Sequence, residues 1–178
     1  IEWYRKSAAQ GYSPAQVNLG HVSFKGDGVP QDYKTAIEWF RAAEARGNLE
    51  GIFNLGLMHE RGQGVAQSYK AAIDYYRKAA AQGHAVSQGN LGVMYTYGRG
   101  VPINKIIAYA MYNVSATIDP SANNTATANR DLIQQEMNNA EKSAGQALTR
   151  ELMQPGRFLQ ALDAAQGSSR AAAGQAKR

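Results

Sequence analysis

The chain has no cysteine among its 178 residues. Disulfides and thiolate metal sites are therefore excluded, and nothing follows about redox compartment. It also lacks any apolar run approaching the ~20 residues needed to span a bilayer. Histidine is scarce, with only His21, His59 and His84. No H-E-x-x-H spacing joins them and no carboxylate stands at ligand spacing, so no metal is expected. Glycine pairs such as Gly26-Asp27-Gly28 lack the lysine–serine pair and the preceding strand of a phosphate loop. There is no nucleophile-elbow motif. With no converging set of titratable groups, the chain reads as a non-enzyme with no cofactor and no small-molecule substrate.

Charge of either sign is also thin where a nucleic-acid site would need it. The net charge is +5, and residues 150–178 hold +3 of it through Arg150, Arg157, Arg170, Lys177 and Arg178 against Glu151 and Asp163. The remaining 149 residues are nearly balanced. A nucleic-acid binder clusters its cations on one face, so no nucleic-acid partner is expected. The basic end is either a solvated terminus or a contact for an anionic partner or surface, and membrane contact is not the expectation.

What is present is a period of 36 residues. Asn-Leu-Gly recurs as Asn18-Leu19-Gly20, Asn54-Leu55-Gly56 and Asn90-Leu91-Gly92. An aromatic–aromatic–basic triplet keeps the same step at Trp3-Tyr4-Arg5, Trp39-Phe40-Arg41 and Tyr75-Tyr76-Arg77. So do the loops Gly26-Asp27-Gly28-Val29, Gly62-Gln63-Gly64-Val65 and Gly98-Arg99-Gly100-Val101. A fixed period of this length means stacked units, each covering its neighbour's apolar face. At this length the chain is expected to form one domain-sized body. Ile1 falls within a helical pattern, so the natural chain is expected to extend upstream, with any signal peptide there.

In the middle unit Asn48 reads as an N-cap and a first helix runs to about Arg61, where Gly62 is a left-handed cap candidate. Ile52, Phe53, Leu55, Leu57 and Met58 surround most of that helix, as expected for packing on two sides. Gly56 costs ~1 kcal/mol relative to alanine mid-helix. Its recurrence predicts a close helix–helix approach that a Cβ would block. The second helices begin at Asp32, Ser68 and Asn104, all strong N-cap types. The stripe Tyr69, Ala72, Ile73, Tyr76, Ala79 and Ala80 is the buried face. In the first unit Ser13-Pro14 is expected to supply the cap and the first helical residue. After the periodic region, helices are expected near Ala122–Met137, with Leu132, Ile133 and Met137 inward, and near Ala140–Met153, with Ala144, Ala147, Leu148 and Leu152 inward. A short amphipathic piece with Phe158, Leu159 and Leu162 follows. Residues 167–178, rich in Ala, Gly, Ser and Gln, are expected to be disordered.

The unit resembles the Sel-one-like repeat (SLR) family, relatives of tetratricopeptide repeats. Gly26, Gly28, Val29, Pro30, Asp32, Ala36, Trp39, Phe40, Ala43 and Gly47 carry the likeness, as do Asn90-Leu91-Gly92, Tyr95, Gly98 and Gly100. The likeness covers roughly residues 1–118, with capping helices over 119–154 and a tail over 155–178. It implies an all-α fold, an α-solenoid of stacked helix-turn-helix repeats in a right-handed superhelix. It also implies adaptor work for another protein at the bacterial envelope or periplasm. The alternative it leaves is an immunity or inhibitor protein that occludes a secreted toxin or effector enzyme. The family's first-helix tyrosine is present as Tyr95 but replaced by Ser23 and His59, so identical binding by every unit is not expected.

In the related tetratricopeptide fold the first helices line a concave groove. By that analogy the partner-facing positions are Val17, Asn18, His21, Phe24 and Lys25, then Phe53, Asn54, Leu57, Glu60 and Arg61, then Gly89, Asn90, Val93, Thr96 and Tyr97. Apolar anchors with few charges suit an amphipathic helix or apolar peptide of a partner protein. Two readings stand for the asparagines: an amide clamp on a peptide backbone, or a bond within the fold. Likewise Val17, Phe53 and Leu57 are either anchors or core.

Overall fold

The computed structural model describes residues 1–121 and 125–175. Among them are ten α-helices and no strand: α1 (Glu2–Ala9), α2 (Ser13–Lys25), α3 (Tyr33–Glu44), α4 (Leu49–Arg61), α5 (Tyr69–Ala80), α6 (Ala85–Tyr97), α7 (Lys105–Ile118), α8 (Ala126–Gln135), α9 (Asn139–Leu152) and α10 (Phe158–Gln175). The fold is all-α, a succession of helical hairpins. No described helix is long and apolar enough to cross a membrane. The expected single body is instead two compact units, Ile1–Gln82 and Gly83–Arg178. A repeat array has contacts only between neighbours, so nothing in a period requires one undivided core.

In unit 1 each helix packs on the next, from α1 through α5. The hairpins start and stop where their chemistry dictates. Asn48 Oδ1 accepts from the Gly51 amide at 3.0 Å and caps α4. Asp32 accepts from the Lys34 and Thr35 amides and caps α3. Ser68 Oγ accepts from the Ala71 amide at 3.2 Å and caps α5. Gly26 and Gly62 end the first helices in the left-handed region, at φ 79° and 68°. The cap of α2 differs from expectation. It is Tyr12, with Ser13 already helical and Pro14 in the first turn. The Ser13 hydroxyl instead accepts from Asn48 Nδ2 at 3.2 Å, tying this turn to the next hairpin.

The recurrent mid-helix glycine has a direct steric reason. A Cβ on Gly20 would stand 2.4 Å from Phe40 Cε1, and one on Gly56 2.5 Å from Tyr76 Cε1. The ring of the second helix lies flat where the first helix has no side chain. The core of this unit gathers Ile37, Phe40, Ala43, Leu55 and Met58. Ala43 allows the next hairpin close, since a Cβ on Gly51 would meet its methyl at 2.8 Å.

Unit 2 repeats the device once more, with Gly92 under Tyr112, where an added Cβ would stand 2.5 Å from Tyr112 Cε1. Asn104 caps α7 by accepting from the Ile107 amide at 3.0 Å. Ala108, Tyr109, Met111 and Tyr112 are buried, and Asp119 ends the helix. Helices α8 and α9 both pack on α7, and α10 packs on α9. The expected start of α8 at Ala122 lies outside the described residues. Ile133 and Met137 point inward, but Leu132 is 63% exposed. A ten-residue helix admits more than one phase for adjacent apolar residues, and here the Ile133 side faces α7. In α9 Leu148 and Leu152 are buried and Ala147 half-buried, while Ala144 is exposed. The close contact falls to its neighbour Gly145, whose Cβ would lie 2.5 Å from Tyr109 Cδ1. The start of α9 is a capping box between Asn138 and Glu141. Finally, α10 continues through residues 167–175, where disorder was expected from composition. Phe158, Ala161 and Leu162 bury its first turns, with Leu159 41% exposed, and this anchor extends the helix beyond what composition alone supports. The tail cations Lys177 and Arg178 lie outside the described residues.

Candidate functional site

In unit 1 the first helices α2 and α4 carry ten of the expected partner-facing residues. Asn18, Lys25 and Arg61 are exposed, and His21 and Leu57 are half-buried. The His21 ring stands edge-on to Phe40, 5.4 Å between centroids. Burial pushes its pKa below the ordinary imidazole value, with Glu50 opposing this and Lys25 reinforcing it. His21 therefore presents a neutral ring, with one donor and one acceptor, at neutral pH.

The other residues serve the fold. Phe24 packs against Tyr33 at 5.4 Å and joins the core that holds Phe40. Val17 is buried in the same core. Phe53 is half-buried, 5.9 Å from Tyr76. The Tyr76 hydroxyl donates to Glu60 Oε2 at 2.6 Å. Asn54 is buried, and its Nδ2 donates to the Glu50 carbonyl at 2.8 Å and to Glu50 Oε1 at 3.2 Å. The amide donors of Asn54 thus serve its own helix, while Asn18 at the same register is exposed. A helix packed on two sides has only a narrow outward strip, and in α4 that strip runs through Glu50, Leu57 and Arg61.

In unit 2, Asn90 and Val93 are half-buried on α6, and Gly89 lies near Ser115. Thr96 Oγ1 donates to the Gly92 carbonyl and is 2.9 Å from the Tyr112 hydroxyl, which leaves the tyrosine as donor. Burial raises the Tyr112 pKa, with the Thr96 hydrogen bond acting against it. Tyr97 is 65% exposed, with the Arg99 guanidinium 5.4 Å from its ring.

Tyr97 also borders a cleft of about 390 Å³ between α6, α7 and α8. Ile103 and Leu132 line it, 65% and 63% exposed. Lys105 and Glu136 close its rim with an ion pair at 2.9 Å. Sequence reasoning did not find this cleft, though one signal was available. The position of Ile103 is glutamine in the earlier repeats, where Gln31 Nε2 donates to the Phe24 carbonyl and Gln67 Nε2 to the Glu60 carbonyl, each at 2.9 Å. The third repeat replaces that loop-bracing amide with an exposed apolar side chain. Among the described residues no group of three or more His, Cys, Asp or Glu could hold a metal ion.

The comparisons with known proteins agree with this architecture. The Sel1 repeat family model matches residues 1–12, 13–48, 49–84 and 85–117. A solved structure of c5321, described as a protective antigen in uropathogenic Escherichia coli displaying an SLR fold, is 29% identical with a TM-score of 0.66, covering 93% of this chain and 43% of that one. A Sel1 repeat protein from Oxalobacter formigenes is 33% identical with a TM-score of 0.62, covering 70% of this chain and 50% of that one. The chain thus matches half or less of the length of each. No curated protein matches it in sequence.

Proposed function

The chain belongs to the Sel1 repeat family, whose repeats mediate protein–protein binding, and we propose that it is a non-enzymatic adaptor that holds a segment of a partner protein. The observation that carries this reading is the cleft of unit 2, where Tyr97, Ile103 and Leu132 expose three large apolar side chains around one concavity. Exposed apolar residues gathered on one concave surface mark interaction sites. In unit 1 the outward residues Asn18, His21, Lys25, Leu57 and Arg61 form a second, more polar contact strip. The chemistry of the cleft suits an amphipathic helix or apolar peptide, with the Lys105–Glu136 pair at the rim adding selectivity more than affinity.

The test is differential capture with purified wild type, Ile103→Gln/Leu132→Asp and Leu57→Asp/Arg61→Glu. Ile103→Gln installs the residue of the other two repeats, so the fold should tolerate it, and melting temperatures are recorded for all three. A protein held by wild type and lost by the Ile103→Gln/Leu132→Asp variant, with folding intact, is the expected result. Equal retention by all three would end the proposal. If the captured protein is an enzyme, its activity in the complex separates an adaptor from an inhibitor.

A further inference from the structure

The loop after each first helix closes with the same backbone bond in all three hairpins. The Asp32, Ser68 and Asn104 amides donate to the carbonyls of Ser23, His59 and Tyr95, each at 2.9 Å. The residue just before each of these caps packs over the glycine that ends the first helix. A Cβ on Gly26 would stand 3.2 Å from Gln31 Cβ, one on Gly62 3.1 Å from Gln67 Cβ, and one on Gly98 3.0 Å from Ile103 Cγ1. The three loops therefore differ here in side chain and not in path. In the first two, the glutamine Nε2 donates to the next helical carbonyl, that of Phe24 or Glu60, at 2.9 Å. In the third, Ile103 has no donor to give. Among the described residues nothing donates to the Thr96 carbonyl, which holds the equivalent place at the C-terminal end of α6. The last carbonyls of a helix have no intrahelical partner and are taken by side chains, water or ligands. Thr96 and Ile103 both line the cleft between α6, α7 and α8. The third repeat thus trades a hydrogen bond for an exposed apolar side chain, a local inconsistency of the kind that collects at functional sites.

We infer that the partner supplies the missing amide. Its segment in the cleft is a helix that presents a large aliphatic side chain to Ile103 and Leu132 and, one turn away, a glutamine or asparagine whose side-chain N–H donates to the Thr96 carbonyl. This rests on the reading of the cleft as a partner site and names the chemistry that the cleft selects. Charge decides the type of donor. The Arg99 guanidinium stands 5.4 Å from the Tyr97 ring, and the Lys105 ammonium is held 2.9 Å from Glu136. A lysine or arginine of the partner would meet two cations and a carboxylate already engaged. An ionised carboxylate cannot donate at all. The neutral donor that fits is a side-chain amide, the group that Gln31 and Gln67 use on the same carbonyl in their own repeats. Position favours a helix. Ile103 stands where those glutamines stand, so the aliphatic anchor and the donor belong side by side, and residues three or four apart on a helix lie ~5–6 Å from each other.

The probe is a displayed library of helical peptides of about twelve residues, roughly three turns, selected on the full chain. Peptides that bind wild type and are lost by folded Leu132→Asp are cleft binders. These should be enriched in glutamine or asparagine one turn from a large aliphatic residue. Replacing that amide residue by methionine, which has its shape and no donor, should weaken binding about fivefold, the value of one hydrogen bond. Replacement by lysine should weaken it as well. The bond itself is read in the carbonyl carbon resonance of Thr96. It should move downfield with the amide peptide, stay with the methionine peptide, and move downfield without any peptide in Ile103→Gln, where the chain's own brace is restored. Cleft binders with no amide enrichment, a methionine replacement without cost, or a Thr96 resonance unmoved by the amide peptide would overturn the inference and leave the cleft as a partner site. A selection in which no peptide depends on Leu132 would overturn both.

Discussion

The periodic hairpins and the non-periodic end of the chain use one packing device in two ways. In α2–α3, α4–α5 and α6–α7 a glycine of the first helix lies under a ring exactly one hairpin away, pairing Gly20 with Phe40, Gly56 with Tyr76 and Gly92 with Tyr112. In the end helices Gly145 of α9 lies under Tyr109 of α7, where an added Cβ would stand 2.5 Å from Tyr109 Cδ1, with no repeat to announce it. The period therefore advertises the contact but does not cause it. The cause is a ring that needs a flat, side-chain-free seat to bring two helix axes close.

The rims of these seats differ. Beside Tyr76 stands Glu60, beside Tyr112 stands Thr96, and the same register beside Phe40 holds Phe24. Where the ring carries a hydroxyl the first helix supplies a polar partner, and where it does not the position is apolar. A buried hydroxyl without a partner is costly, so the two positions must agree in polarity.

The largest expected effect breaks the seat itself. Gly56→Ala and Gly145→Ala should each destabilise their unit by about 1–3 kcal/mol despite the helix propensity of alanine, because a ring rather than a flexible chain end must move. Gly89→Ala is the internal control. Its Cβ would meet only the Ser115 hydroxyl at 3.4 Å, and the substitution should stabilise by roughly 0.5–1 kcal/mol. Chemical denaturation of the three variants ranks them.

The next effect sharpens the comparison between rims. Tyr76→Phe removes a hydrogen bond to a carboxylate and should cost about 1.5–3 kcal/mol, while Tyr112→Phe removes one to a hydroxyl and should cost about 0.5–1.5 kcal/mol. Equal costs in urea denaturation would show that the rim chemistry is not what separates the two hairpins.

The smallest effect concerns pH. His21 has a lowered pKa in the folded chain, so the folded state resists protonation more than the unfolded state does. Its contribution is fully present above about pH 6.5 and is lost as pH falls from there through the lowered folded value. His21→Leu, the residue type of Leu57 at the same register, should flatten the melting temperature between pH 7 and pH 5. An unchanged slope would remove His21 from the account.

Much of the periodic region was legible because local and repeat signals coincide there. Asn48, Asp32, Ser68 and Asn104 are cap residues by chemistry and by position, and Gly56 is conspicuous where alanine would be cheaper. The cap of α2 was not legible, because Pro14 fits either of the first two helical positions and Ser13 is engaged by Asn48 from the next hairpin. Leu132 and Ala144 were misplaced because a short helix without a repeat offers no second copy to fix its phase. The helix over residues 167–175 depends on the buried anchor of Phe158 and Leu162, a tertiary contact that composition does not contain. Of the residues expected to face a partner, Asn18, Lys25, Arg61 and Tyr97 are exposed and Leu57 is half-buried on the same side as Arg61. Sequence could not separate them from Asn54 and Glu60, because a helix contacted on two sides shows apolar and polar residues all around. The cleft residue Ile103 was visible as a departure from Gln31 and Gln67, a difference that matters only once Leu132 is known to face it.

The most direct test of the central claim is a double-mutant cycle between Gly56→Ala and Tyr76→Leu. If the glycine is the seat of the ring, the cost of Gly56→Ala should fall by at least about 1 kcal/mol once the ring is gone. Additive costs would contradict the account, because they would mean that Gly56 and Tyr76 contribute to stability independently.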